Sequence, residues 1–287
     1  MTESSRLFDF AGKKLDLSIS HTMGILNVTP DSFSDGGELM SDNGMVSLSK
    51  VLERAEKMVN AGAAILDIGG ESTRPGAKEV SSQQEMDRVL PVVEAVKRNL
   101  DVIISVDTSN PELIRQCPAV GAGLINDVRA LARKGALEAA AIADLPVCLM
   151  HMQGSPKDMQ DAPGYDDIVE DIADFLGQRV KACNDAGIGN DRILLDPGFG
   201  FGKTLEHNLE LLGRLGELQA LKLPLLIGIS RKRMIGTITG RTEKDRVPGS
   251  IAAAVIGVMH GARLVRTHDV AETVDALKIC NEVLKVS

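Results

Sequence analysis

Eight times along this chain a short apolar run ends in polar or glycine residues and is followed by a stretch with apolar side chains at three- and four-residue spacing. The runs close at Asn27, Gly70, Asp107, Asp127, His151, Asp196, Ser230 and Asp269. Between them lie helical patterns such as Val46–Asn60, with Val51, Leu52, Ala55, Met58 and Val59 on one face, and Asp166–Ala186. Eight strand-helix units in 287 residues, with no linker or shift of composition, predict one α/β domain. The expected fold is a single (β/α)8 TIM barrel, for which about 250 residues is typical. Periodicity does not show whether the sheet closes, so a doubly wound open sheet is the alternative; the count of eight favours closure. Ahead of the repeat, Phe8 and Phe10 alternate with polar residues before Ala11-Gly12-Lys13-Lys14, and Leu15 and Leu17 alternate after it. That pattern predicts an N-terminal β-hairpin over residues 7–17, plugging one end of a barrel at 21–286.

Composition narrows the function classes. A chain that is 44% hydrophobic, with no run of eighteen apolar residues, suits a soluble globular protein. The start, MTESSRLFDF, has neither the basic flank nor the apolar run of a signal peptide, so a cytoplasmic protein away from membranes is expected. Cys117, Cys148, Cys183 and Cys280 stand far apart with no CxxC spacing, which argues against a zinc site and a redox pair. They read as reduced, mostly buried thiols. A net charge of −8 and an aromatic content of 2% speak against nucleic-acid binding, so an anionic ligand has to be met by a few local cations.

In either architecture ligands sit beyond the carboxyl ends of the strands, where Asn27, Asp107, Asn126, Asp196, Ser230, Arg266 and His268 fall. The stretch AAILDIGGESTRPG, Ala63–Gly76, shows the pattern most sharply: a buried strand around Asp67, two glycines, then Glu71, Ser72, Thr73 and Arg74 in succession. PGFGFGKT, Pro197–Thr204, superficially resembles a phosphate-binding P-loop, but Pro197 occupies the place of the required first glycine. A dinucleotide fingerprint from Gly198 fails as well, because its last glycine falls on Lys203. The carboxylates of Asp107 and Asp196, the amide of Asn126 and the ammonium of Lys232 suit a flat heterocycle with several hydrogen-bonding edges. For each Asp alone, an N-cap of the following helix is an equal reading. Asn27, Arg266 and His268 form a second set that could hold a diphosphate, since Arg266 and His268 are two apart on one strand and share a face.

These residues also carry a family resemblance. MGILNVTPDSFSDGG at Met23–Gly37, ILDIGGESTRPG at Ile65–Gly76, SVDTS at Ser105–Ser109, IND at Ile125–Asp127, LLDPGFGFGK at Leu194–Lys203, GISRK at Gly228–Lys232 and RTHD at Arg266–Asp269 occur in order over nearly the whole chain. On these motifs the sequence resembles the bacterial dihydropteroate synthases, with a longer segment at Glu38–Ser47. The resemblance implies a single pterin-binding barrel domain over residues 1–287 and a transferase that forms a C–N bond in folate biosynthesis. In that reaction para-aminobenzoate displaces diphosphate from 6-hydroxymethyl-7,8-dihydropterin diphosphate.

Carried over position by position, the resemblance implies that Asp107, Asn126, Asp196 and Lys232 hold the pterin between Val128, Met150 and Phe201. Asn27 would ligate Mg²⁺ carried by the diphosphate, which Thr73, Arg266 and His268 would bind. Thr73, Pro75, Phe201 and Ser230 would receive the aminobenzoate. Catalytic roles are implied for Asp31, Asp35, Thr73, Arg74 and Lys232, and a sulfonamide-binding homodimer for the assembly. A methyltransferase that uses methyltetrahydrofolate would share the pterin pocket without a diphosphate site, and a non-catalytic pterin-binding protein would lack turnover.

Overall fold

The computed structural model describes residues 7–29, 46–72, 80–154, 159 and 163–286. Asp31, Asp35, Thr73, Arg74, Pro75 and most of the segment Glu38–Ser47 lie outside them. Strands β1 (Leu7–Phe10) and β2 (Lys13–Asp16) pair antiparallel as the expected hairpin, with Phe10 opposite Lys13 across the turn. The other eight strands are β3 (His21–Asn27), β4 (Ile65–Gly69), β5 (Ile103–Asp107), β6 (Leu124–Asp127), β7 (Val147–Met150), β8 (Ile193–Asp196), β9 (Leu225–Ile227) and β10 (Ala262–Thr267). They pair in parallel, in sequence order, and β10 returns to β3, which closes the barrel. The open doubly wound sheet is thereby excluded.

Helices cover the outside: α1 (Leu48–Asn60), α2 (Ser82–Asn99), α3 (Pro111–Val120), α4 (Ala136–Ala143), α5 (Ile168–Asp185), α6 (Leu205–Gly213), α7 (Arg233–Thr239), α8 (Val247–Met259) and α9 (Val270–Lys285). Their ends follow local chemistry. Ser81 and Gln84 form a reciprocal capping box at α2, and Asn110 caps α3 ahead of Pro111. Asp167 accepts from the N–H groups of Val169 and Glu170 at α5. α1 starts two residues later than the apolar pattern suggests, with Ser47 as its cap residue. β9 is shorter than predicted, and Ser230 sits in the turn beyond it. Among the described residues, no helix is long and apolar enough to cross a membrane.

The strand alternation of side chains sorts the barrel into levels. Leu66, Ile68, Ile104, Val106, Ile125, Val147, Leu149 and Leu195 face outward and join the helices in one core. At the amino end of the interior, Met23, Ile65, Ile103, Leu124, Cys148, Leu194, Leu226 and Leu264, one from each strand, pack with Phe8, Phe10 and Leu17. The hairpin therefore plugs the bottom of the barrel as expected. Its backbone comes so close that a Cβ on Gly123 would lie 2.9 Å from the Phe10 carbonyl oxygen. Two residues further along the strands the interior turns polar: Asp67, Ser105, Asn126, Asp196 and Arg266 occupy the next inward positions, with Asn27 and Asp107 above them. Stability is concentrated below and chemistry above.

Phe10 is the more deeply buried of the two phenylalanines in this plug, only 1% exposed. Phe10→Ala should lower the unfolding free energy by about 3–5 kcal/mol, the usual cost of emptying an aromatic core position. A denaturant titration followed by circular dichroism measures it, and a change below about 1 kcal/mol would contradict the plug.

Candidate active site

The polar level is organised by Arg266 on β10. Its Nε donates to Asp67 Oδ2 on β4 (2.5 Å) and its Nη2 to Asp107 Oδ2 on β5 (2.9 Å). Asn126 on β6 donates from Nδ2 to the same Asp67 oxygen (3.2 Å). Four strands thus meet through one ion cluster inside the barrel. Burial pushes the carboxyl group of Asp107 up to about 8, with Arg266 opposing the shift and Asp67 adding to it.

The glycine-rich loop after β8 forms the next wall. Asp196 accepts from the N–H of Gly198 (2.7 Å), and burial raises its carboxyl group despite that bond. Gly198 has φ +69°, and a Cβ there would stand 1.9 Å from the carbonyl oxygen of His151, so no other residue fits. Lys203, the lysine of the P-loop look-alike, is buried and donates to the carbonyls of Gly198 (2.9 Å) and Phe201 (3.0 Å) and lies 3.0 Å from His151 Nδ1. It staples its own loop. Burial, reinforced by Lys203, holds the His151 imidazole down at about 3, so its Nδ1 serves as an acceptor. Thr204 then caps α6 in a reciprocal arrangement with His207.

Lys232, at the start of α7, points its ammonium at the Phe199 carbonyl and lies 4.2 Å from the centroid of the Phe201 ring. Burial brings it down to about 7, with Asp196 opposing the shift and Arg266 adding to it. Next to it, Ser230 Oγ receives the backbone N–H of His268 (3.2 Å) and lies 3.0 Å from His268 Nδ1. Ser230 thereby holds both the backbone and the ring of His268. Arg231, between Ser230 and Lys232, pairs instead with Asp269.

A cavity of about 740 Å³ opens over these groups, lined among others by Asn27, Asp107, Phe201, Ser230, Lys232, Arg266 and His268. Glu71 and Ser72, which begin the second loop, also line it, and Arg129 anchors Glu71 at 3.4 Å. Asn126, Val128, Met150 and Asp196 are buried behind this wall. The structure therefore brings together all eleven described residues named from the sequence, seven on the wall and four beneath it. The remaining five, Asp31, Asp35, Thr73, Arg74 and Pro75, lie outside the described residues.

A family model described as "Pterin binding enzyme" matches residues 23–268, which contain every residue of this cluster. The chain is 55% identical over 273 residues to the dihydropteroate synthase of Escherichia coli strain K12, covering 95% of both chains. The chain belongs to the dihydropteroate synthase family. Solved dihydropteroate synthases superpose closely. The Yersinia pestis protein in complex with a sulfonamide drug has a TM-score of 0.93 at 53% identity, covering 98% of this chain and all of that one. The Xanthomonas albilineans protein with 4-aminobenzoic acid has a TM-score of 0.89 at 46% identity, covering 98% and 99%. Members of the dihydropteroate synthase family are transferases, and the methyltransferase and non-catalytic readings give way to that activity.

Sequence reasoning passed over three groups. Asp67 was visible as a lone charge inside an apolar strand, and a wholly buried carboxylate requires a partner. Asp127 of the IND motif is no ligand group: it accepts from Ser109 and from the N–H groups of Arg129 (2.8 Å) and Leu131 (2.9 Å), tying a turn in which Ala130 and Leu131 have positive φ. Buried Glu85 accepts from Thr108 (2.6 Å), which locks α2 to the loop after β5.

The shift at Lys232 has a consequence for stability. Between pH 7 and the ordinary lysine value of 10.5, the unfolded chain holds a proton on Lys232 that the folded chain has released. This group therefore makes stability rise with pH across that window. Lys232→Met removes the contribution, so the stability of wild type relative to the variant should increase from about pH 7.5 to about pH 9.5 in urea titrations. A constant difference would contradict the shift.

Proposed function

We propose that this chain joins para-aminobenzoate to the methylene carbon of 6-hydroxymethyl-7,8-dihydropterin diphosphate, releasing diphosphate and 7,8-dihydropteroate, and that the residues named above carry out that reaction. The observation that carries the assignment of roles is the convergence of Asp107 on β5, Asn126 on β6 and Asp196 on β8 with Lys232 and Arg266 at one mouth. Carboxylates and an amide at fixed inward positions match the donor-rich edge of a pterin, and Val128, Met150 and Phe201 supply its apolar walls. The 4-aminobenzoic acid bound by the Xanthomonas albilineans relative supports the second substrate, with Ser230 and Phe201 as its receiving surface and Thr73 and Pro75 added by the resemblance.

The chain's own residues do the following. His268, whose ring is held through Nδ1 by Ser230, binds the leaving diphosphate together with Thr73 and Arg266. Arg266 already holds two carboxylates, so its role is shared between the heterocycle and the anion. The C–O bond breaks with its electron pair leaving on diphosphate, and the electron-rich dihydropterin stabilises the cation-like methylene. The amine lone pair then attacks that carbon and its N–H proton is lost. The resemblance adds Asp31, Asp35 and Arg74, which lie outside the described residues, as groups that shield the reacting centre from water.

Mg²⁺ fits this donor set only in company with the substrate. Among the described residues no cluster of three His, Cys, Asp or Glu side chains could cage a metal. Magnesium bound through phosphate oxygens needs few protein ligands, and the Asn27 amide oxygen, held over Gly69 on the cavity wall, can be one of them. When bound, the ion neutralises charge on the leaving diphosphate. A cytoplasmic homodimer completes the reading; exposed Ile256 and Met259 on α8 and Ile279 and Val283 on the packed helix α9 support an apolar contact.

The direct test is diphosphate release, assayed with and without para-aminobenzoate. Release coupled one to one with dihydropteroate is expected, and a protein that binds the substrate without turnover would overturn the assignment. Asp196→Asn should weaken binding of a pterin lacking diphosphate by about 1–3 kcal/mol, because a donor then faces ring donors. Calorimetry that finds unchanged affinity removes Asp196 from the pocket. The order of events is separately testable: para-aminobenzoate should bind tightly only when pterin and Mg-diphosphate are already present. Equal affinity for the free enzyme, the pterin complex and the full complex would instead favour a preformed pocket and direct displacement.

A further inference from the structure

None of the roles implied by the family resemblance falls to Asp67, yet it lies beneath the residues that have them. It sits at the middle of β4 with no solvent exposure. One oxygen, Oδ2, accepts from Asn126 Nδ2 on β6 (3.2 Å) and from Arg266 Nε on β10 (2.5 Å). In the closed barrel both β6 and β10 are two strands away from β4, on opposite sides. No backbone ladder connects those strands to β4, so the carboxylate ties across the interior where the sheet cannot.

The chemistry of the tie is directional. An Asn side chain can be turned by half a revolution with little change of shape, which exchanges its donor and acceptor ends. A carboxylate that is receiving a guanidinium N–H can only accept, so the Asn126 amide has to turn its nitrogen towards Asp67. The carbonyl end is thereby left for whatever enters from the mouth. The other Asp67 oxygen has no hydrogen-bond partner among the described residues, so the whole of this bonding passes through Oδ2.

We propose that Asp67 is a positioning residue for recognition of the heterocycle: through Oδ2 it fixes the Asn126 amide with its oxygen towards the ligand. The site consequently reads ring N–H donors at position 126 and rejects a ring that offers an acceptor there. The inference rests on the pterin reading above. A role as a plain counter-ion for Arg266 would leave the orientation of Asn126 without influence on binding, and the two roles are separable by exchange of donor and acceptor.

The probe is 6-hydroxymethylpterin, which carries the ring without diphosphate, titrated calorimetrically into the full-length protein. Asn126→Asp sets two acceptors against each other at the tie and should weaken binding by about thirtyfold or more. Adding Asp67→Asn restores a donor facing an acceptor, with an oxygen still available to the ligand, and should recover at least about tenfold. Losses that multiply in the double variant overturn the proposal. If Asn126→Asp does not unfold cooperatively, the same question is put by truncation. Asp67→Ala should cost about tenfold in the wild-type background and under about threefold in the Asn126→Ala background, since Arg266 keeps its bond to Asp107. Equal losses in both backgrounds overturn it. Wild-type protein that fails to bind the pterin would overturn the proposed function, and this inference with it; wild-type binding with no rescue and no coupling overturns the inference alone.

Discussion

Arg266 brings a permanent positive charge into the interior of a β-barrel, and the carboxylates of Asp67 and Asp107 make that position tenable. The arrangement is expensive to disturb, because removing one partner of a buried ion pair leaves the other uncompensated and costs about 3–5 kcal/mol. It is also informative about function. Replacing such a cluster by well-packed apolar residues is often neutral or stabilising, so its presence says little about stability. Ionisable side chains gathered inside the barrel above an apolar plug are better understood as a site than as a scaffold.

The consequences spread outward from that cluster. Asp67 orders Asn126, Arg266 orders Asp107, and the depth of the cluster shifts the proton affinities of Asp107 and Lys232 towards neutrality. Around this rigid floor the loops are held by separate devices. Lys203 staples the glycine-rich loop, Ser230 orients His268, and Arg129 holds Glu71 at the start of the second loop. Each device fixes a backbone or a ring.

The loop from Pro197 to Thr204 shows how a motif and its surroundings can disagree. Its glycines look like a phosphate cradle, but here they permit close passage beside the carbonyl oxygens of His151 and Gln153, where a Cβ would stand at 1.9 and 2.5 Å. Its lysine turns inward to three acceptors of the protein. Spacing predicted the failure as a P-loop; it held no information about the alternative, because the partner His151 lies 52 residues away in the chain.

Much was legible in the residues alone. Eight repeats of apolar strand and amphipathic helix determined an α/β sheet covered by helices and favoured a barrel, since each strand has to bury both faces and each helix one; closure itself was decided by the pairing of β10 with β3. Phe8, Phe10 and Leu17 announced the plug by alternation, and the polar strand ends announced the mouth. The long motifs placed the chain in its family. What tertiary structure alone decided is which of the polar residues act on one another. Asp67 and Arg266 are 199 positions apart, and Asp67 and Asn126 are 59 apart, so no local pattern connects them. Their bonds exist because closure of the barrel turns inward positions on separate strands towards a common axis, and a charge buried there has no water to solvate it and must find its partner across that axis.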